Sequence, residues 1–323
     1  MNPRNRGDGW TSGPAVVALG GGHGLAATLR ALRRVTDSVT AVVGVSDDGG
    51  SSGRIRRELG LVPPGDLRMA LAALCGDDTW GRTWSRVLQH RFAGDGELSG
   101  HAVGNLLISA LWEETGDVVA GLDWVAALLE AQGRVLPVAC EPVDLIAEVR
   151  GIAGTEEVTT LRGQVDIATT SGEVVCLRID PPEPEPCWPV VEAIDSAQMV
   201  VLGPGSWFTS VLPHLYVSPV HDAIVTSSAT KVLVVNVTPQ VGETTGFTPA
   251  MYLRNLAAEF PEVSLDAVIV DPTSVGDEDA LRAACAALGA RPFIEEVRAV
   301  DDGRPGAVHD TLLLASVFQR LLR

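Results

Sequence analysis

The run Ser46-Asp47-Asp48-Gly49-Gly50-Ser51-Ser52-Gly53-Arg54 places two adjacent carboxylates, several glycines, hydroxyls and a guanidinium directly after the apolar stretch 39–45. Packing gives no reason for such a composition. Glycines at a strand end expose main-chain N–H groups that can face an anion. The pair Asp47 and Asp48 suits Mg2+ beside a diphosphate, because this ion takes one or two carboxylates plus phosphate oxygens. Asp47 also stands where dinucleotide-binding folds put a carboxylate on a ribose hydroxyl, so nicotinamide chemistry stays open beside metal and phosphate chemistry.

Three further segments have related chemistry. Gly20-Gly21-Gly22-His23-Gly24-Leu25 follows an apolar run and opens a helix, which gives close backbone approach, free N–H groups and a positive dipole end. It lacks the ending of a P-loop, and Leu25 replaces the third glycine of GxGxxG, so a tight turn is as good an account as phosphate binding. Gly203-Pro204-Gly205-Ser206-Trp207-Phe208-Thr209-Ser210 is a second glycine-and-hydroxyl loop, with a helix expected from near Thr209; two such loops suit a two-ended ligand. Asn236-Val237-Thr238-Pro239-Gln240-Val241-Gly242-Glu243-Thr244 offers amides and hydroxyls that suit a base or sugar edge. His101, between Gly100 and Gly104-Asn105, fits a ligand contact or a helix cap. His90, His214 and His221 read as structural. No HExxH helix occurs.

The elements that must position these loops follow from periodicity. Residues 15–19 form a strand, Leu25, Leu29 and Leu32 have helical spacing, and 39–45 is the next strand, a βαβ opening that predicts a parallel sheet with helices on both faces. After the turn at Pro63-Pro64-Gly65, Asp66 is the expected N-cap of a helix. An irregular stretch rich in Trp and Arg follows, then helices from Leu106 and over 118–132. Alternating Val, Thr and Ile over 135–179 predicts β-hairpins, with 158–161, 165–168 and 174–179 as strands. The run Pro181 to Pro186 returns the chain to the core. Further strands are expected at 199–202, 232–235 and 268–270, and helices at 280–288 and 312–322. The expected architecture is α/β, a doubly wound, mostly parallel Rossmann-like sheet with a β-rich insertion. It divides into a flexible tail (1–14), a first half of the core (15–132), the insertion (133–190) and a second half (191–323).

Composition narrows the function. Forty-one acidic against 24 Lys and Arg residues in 323 give a net charge of −17, which repels nucleic acids and anionic membranes, so an anionic ligand must be captured by local geometry. No apolar run approaches the ~18 residues of a membrane span. Cys75, Cys140, Cys176, Cys187 and Cys285 are scattered, never in CxxC, and read as reduced core thiols of a cytoplasmic protein.

The segments GGGHGL at 20–25, DDGGSSGR at 47–54, PPGDLR at 63–68, GHAVGNLL at 100–107, LGPGSWFTS at 202–210 and NVTPQVGET at 236–244 together resemble, in order, the motifs of YvcK-type gluconeogenesis factors, also described as UDP-N-acetylglucosamine-binding proteins. The resemblance covers most of the chain. It implies a cytoplasmic bacterial protein that binds UDP-sugars and serves gluconeogenic growth, cell shape and peptidoglycan synthesis, with no catalytic reaction established for the family. The related CofD-like 2-phospho-L-lactate transferases share the sheet and loops and use magnesium, but lack the DDGGSSGR run.

Carried over by position, and with His101 and Gln240 added from the residues themselves, the candidate ligand set is Gly21, Gly22, His23, Gly24, Asp47, Asp48, Ser51, Ser52, Arg54, Asp66, Arg68, His101, Asn105, Gly205, Ser206, Thr209, Asn236 and Gln240. His23 stands where the family has Thr, Thr238-Pro239 where it has Met-Thr, and Val308 where many members have Arg. These departures put a hydroxyl contact at 23 and a charged contact at 308 in question. The expected activity is binding of UDP-N-acetylglucosamine or UDP-glucose and signalling to a protein partner, with no catalytic residue assigned. The glycine loop would hold the diphosphate, Arg54 and Arg68 would balance its charge, and the Asn236 loop would read the nucleoside or sugar. A Mg-dependent transferase acting on a phosphorylated small acid, with Asp47 and Asp48 as metal ligands, is the alternative, and an NAD(P)-dependent oxidoreductase a second. The sequence leaves dimerisation open.

Overall fold

Strand β1 (Val16–Gly20) is buried at every position in the computed structural model, which describes residues 13–154, 156–301 and 304–323. Residues 1–12 of the expected tail lie outside the described residues. A continuous apolar run is the mark of a parallel strand covered on both faces, and β1 pairs in parallel with β2 (Val39–Val43) on one side. Between them runs α1 (Gly22–Leu32). Its Leu25, Leu29 and Leu32, each 1% exposed or less, contribute roughly 1.5–3 kcal/mol apiece by burial.

After β2 the chain forms α2 (Gly50–Leu59), α3 (Gly65–Leu74), α4 (Thr79–Gln89), α5 (Val103–Thr115) and α6 (Val118–Leu128) before β3 (Arg134–Pro137) extends the sheet beside β2. Three antiparallel strands follow within the 133–190 segment: β4 (Asp144–Arg150), β5 (Val158–Arg162) and β6 (Glu173–Asp180), in the order β5-β4-β6. The chain then returns to the other side of β1 as β7 (Met199–Leu202) and continues outward as β8 (Thr230–Val234), β9 (Ala267–Val270) and β10 (Arg291–Ile294). The sheet order is β10-β9-β8-β7-β1-β2-β3, parallel throughout. A two-stranded ribbon, β11 (Arg298–Asp301) with β12 (Arg304–His309), and the helix Thr311–Leu321 complete the described chain. The expected doubly wound sheet with a β-rich insertion is thus present. No helix among the described residues is long and apolar enough to cross a membrane.

Several local expectations are corrected. Residues 165–168 form the helix Gln164–Ala168 instead of a strand, because the Asp48 carboxylate accepts the Val165 N–H at 3.1 Å and caps the turn. The Trp- and Arg-rich stretch is the regular helix α4, capped by Asp78, which accepts from Gly81 N–H. The N-cap of α3 is Pro64, so Asp66 lies inside the first turn. Helix α6 stops at Leu128 and not at 132. Of the cysteines, Cys176 is exposed and Cys140 half-buried, and only Cys75, Cys187 and Cys285 are core residues.

The direction of winding reverses between β1 and β7, and at such a switch point the loops after adjacent strands part to leave a ligand crevice. Here they touch. A Cβ on Gly24 would lie 2.2 Å from the Pro204 carbonyl oxygen and 3.0 Å from Gly205 Cα. Gly24→Ala is therefore expected to destabilise the fold by about 1–3 kcal/mol, because the obstacle is backbone and cannot swing away. Urea unfolding checks this; an unchanged midpoint would mean that the two loops are not pressed together.

Candidate functional site

The four loops expected to carry the chemistry follow the carboxyl ends of β1, β2, β7 and β8, which are neighbours in the sheet. The first of them leads into α1. Its N-cap, Gly21, makes no side-chain hydrogen bond, its first turn holds no acidic residue, and Gly22 takes φ of +57°, a conformation suited to glycine. The first-turn N–H groups are those a helix leaves without internal partners, and among the described residues only that of Gly22 is engaged, by the Asp66 carboxylate.

His23, Gly24, Gly205, Asn236 and Gln240 line one cleft of about 160 Å3, together with Val308 and His309 of the ribbon. A second cavity of about 250 Å3 shares Asn236, Val237 and Thr238 with it and adds Phe247, Tyr252 and Arg298. The Asn236 side chain does not face outward: its Oδ1 accepts from Gly205 N–H at 3.0 Å and its Nδ2 donates to the Gly205 carbonyl at 2.7 Å. It sets the shape of the second glycine loop. Gln240 is exposed, with its main chain tied to the Thr244 hydroxyl.

The donors of the second loop are already taken by a carboxyl group. Glu243, 3% exposed, receives the Ser206 hydroxyl and the main-chain N–H groups of Trp207 and Phe208, the donors that a phosphate would use. The Thr209 hydroxyl in turn bonds Ser206. Burial pushes the Glu243 carboxyl up to about 7, and its Oε2 has no partner among the described residues. Sequence reading missed this role. The available signal was an acidic residue in a loop otherwise composed of amides and hydroxyls.

Asp47 and Asp48 face different ways. Asp47 Oδ1 accepts from Gly49 N–H at 3.0 Å, and its Oδ2 would lie 2.6 Å from a Cβ at Gly65, beside Ser52. Asp48 faces the insertion. The carboxylate that answers Asp47 is Asp66, whose pKa is pushed up to about 7 by burial first and by the Asp47 charge second. A Cβ on Gly21 would lie 2.4 Å from Asp66 Oδ2, so the carboxylates adjoin the first glycine loop. Arg68, 3% exposed, has no ion-pair partner among the described residues: Nη1 donates to Gln89 Oε1 and Nε is unpaired. Burial and the Arg91 charge lower it to about 10, against the pull of Asp66 and Asp47.

The remaining candidates bind other parts of the protein. Ser51, His101 and Asn105 form a buried cluster in which Asn105 Nδ2 donates to Ser51 Oγ at 3.0 Å and Ala102 N–H approaches it at 3.4 Å. With two donors to accept, Ser51 directs its own proton to His101 Nδ1, 3.1 Å away. Burial and the Arg54 charge hold the His101 imidazole below its ordinary pKa. Arg54 donates to the carbonyls of Glu97 at 3.3 Å and Ser99 at 2.7 Å, which braces the loop before α5 and leaves Arg68 as the buried cation facing the carboxylates.

The raised carboxyls make a prediction about stability. The folded chain holds protons on Asp66 and Glu243 that the unfolded chain releases near pH 4, so their contribution falls as pH rises from about 4 through about 7. Buried His214 and His309, each lowered to about 4, oppose this below pH 6.5. The difference between the wild type and Asp66→Asn isolates the carboxyl. In urea titrations from pH 5 to 8 the variant should gain stability relative to the wild type; a constant difference would refute the raised pKa.

Similarity to known proteins agrees with this fold. The family described as 2-phospho-L-lactate transferase CofD matches residues 16–297. A Mycobacterium tuberculosis protein provisionally named as a gluconeogenesis factor is 48% identical over 308 residues, covering 94% of this chain and 89% of its own. The gluconeogenesis factor of Listeria monocytogenes is 35% identical over 268 residues, 82% of this chain and 80% of its own. The crystal structure of a UPF0052 family member from Bacillus halodurans superposes with a TM-score of 0.84 at 32% identity, covering 94% of this chain and 99% of that one. The chain belongs to the CofD family, within the group that contains the gluconeogenesis factors and UPF0052 proteins.

Proposed function

We propose that this protein binds a UDP-sugar, of the UDP-N-acetylglucosamine or UDP-glucose type, and reports its level to a protein partner in the cytoplasm. The relatives' name supports a role in gluconeogenic growth, and control of cell shape and peptidoglycan synthesis belongs to the same proposal. One observation carries the reading: the first turn of α1 lies beside the second glycine loop with no acidic residue of its own, and Asp66 engages the Gly22 N–H but not those of His23 and Gly24. Helix N-termini of this kind bind phosphate through main-chain N–H groups and the dipole, which a chain of net charge −17 needs. The cavity that shares the Asn236 segment, with Phe247, Tyr252 and Arg298 in its lining, suits the nucleoside or sugar end.

His23 is exposed in that first turn, so His23→Glu tests the reading. A carboxylate there favours the helix, by about 0.3–1 kcal/mol, while repelling a diphosphate. Isothermal titration with UDP-N-acetylglucosamine and UDP-glucose should show wild-type binding, reduced about tenfold or more in the variant, whose melting temperature stays equal or rises. Equal affinity in both proteins would remove the diphosphate from α1.

A second reading, a Mg-dependent transferase acting on a phosphorylated small acid, is favoured by the pairing of Asp47 with Asp66. Two carboxylates, one raised by burial and by the other's charge, fit a divalent ion. Asp47 and Asp66 would hold it, and bound Mg2+ would neutralise phosphate charge. The two readings differ in pH dependence. Metal-free diphosphate binding should tighten from pH 8 to pH 6 as Asp66 takes up its proton, whereas binding that requires Mg2+ should weaken over the same range; titrations at both pH values, with Mg2+ or EDTA, separate them.

A further inference from the structure

At the opposite edge of the sheet, α1 and α3 end beside α4, and together they frame a cavity of about 330 Å3. Arg30, Arg33, Arg82 and Arg86 line it, with Asp77 as the one carboxylate. In a chain of net charge −17 this is a local reversal of sign.

Two of the four arginines have a structural account. Arg33 donates through Nη1 to the Cys75 carbonyl at 2.8 Å and to Gln132 Oε1 at 2.9 Å, and through Nη2 to Asp77, while Arg82 donates to the Asp77 carbonyl. Basic side chains commonly satisfy carbonyls left free at helix ends. Arg30 and Arg86 have no such account: both are exposed, with no hydrogen bond or ion pair among the described residues. Arg33 is itself incompletely satisfied, since its side chain is 8% exposed and its Nε has no partner. Partial burial and the Arg33 charge push the Arg30 guanidinium down, so two like charges are neighbours, and the Asp77 carboxylate pairs with Arg33.

We propose that this cavity is a second ligand site, which takes a compact phosphorylated small molecule between Arg30 and Arg86 at the rim and Arg33 within. The volume lies in the range of small-molecule pockets, roughly 300–1,000 Å3, and a concave space of that size fits a small molecule better than a protein surface. Guanidinium groups present paired donors to phosphate oxygens, and several converging forks select a group with more than one negative charge. The site is separate from the cleft at the glycine loops. The two lie at opposite ends of α1, about 16 Å apart for 11 residues at 1.5 Å each.

Inorganic pyrophosphate is the probe, titrated calorimetrically in phosphate-free buffer into the full chain. Binding to the wild type is expected to persist in His23→Glu, which alters only the far end of α1, and to weaken about tenfold or more in Arg30→Gln/Arg86→Gln. Both replaced side chains are exposed and unpaired, so the double variant should keep the wild-type melting temperature; Arg86→Gln alone serves if it does not. Failure of the wild type to bind, full affinity in the arginine variant, or loss of binding in His23→Glu would each overturn the proposal.

Discussion

Two parallel strands running side by side bring two glycine loops against each other, and the chemistry at the carboxyl edge of this sheet depends on how closely those loops approach. The approach is set by backbone. Gly24 of the first loop lies where any side chain would strike the Pro204 carbonyl, while Asn236 holds both polar main-chain groups of Gly205 in the second. Because β1 and β7 are adjacent, with Leu19 paired to Leu202, a shift in their register would separate the loops and disturb both linings of the cleft.

The same edge shows how an acidic protein arranges charge around an anion site. A broad positive field is excluded by composition, so fixed dipoles and one buried cation act at short range. The protein also supplies an acceptor of its own: the Glu243 carboxyl group occupies the donors of Ser206, Trp207 and Phe208. A phosphate at the second loop would have to displace it from three donors, whereas at the first turn of α1 the Asp66 carboxylate engages the Gly22 N–H alone and leaves those of His23 and Gly24 to a ligand. This asymmetry between two loops of similar composition assigns the diphosphate to the first of them in the proposed function.

Much of this was legible in the sequence. Continuous apolar runs gave the parallel strands, and glycine clusters marked the strand ends, because buried strands and close backbone approaches each demand particular residue types. Side-chain direction was not legible. Asp47 and Asp48 look like a pair, yet successive residues in extended chain point to opposite sides, and one faces Asp66 while the other caps Gln164–Ala168. Arg54 and Arg68 likewise look equivalent in composition, but the first braces the loop before α5 and the second is buried near the carboxylates. The helix at 164–168 escaped notice because its cap lies 117 residues away in the chain. Contacts of that range leave no local signal.

The opposed directions of Asp47 and Asp48 bear on which changes the loop after β2 can accept. Asp47 reaches Gly49 and the start of α3, Asp48 reaches the inserted strands' helix, and Arg56 in the last turn of α2 pairs with Asp144 of β4. Core and insertion therefore read the same few residues from two sides. Replacing one side chain disturbs one of these contacts, but adding or deleting a single residue between Val45 and Gly49 would exchange the two directions and misalign both modules together. The length of this loop is more tightly constrained than its composition.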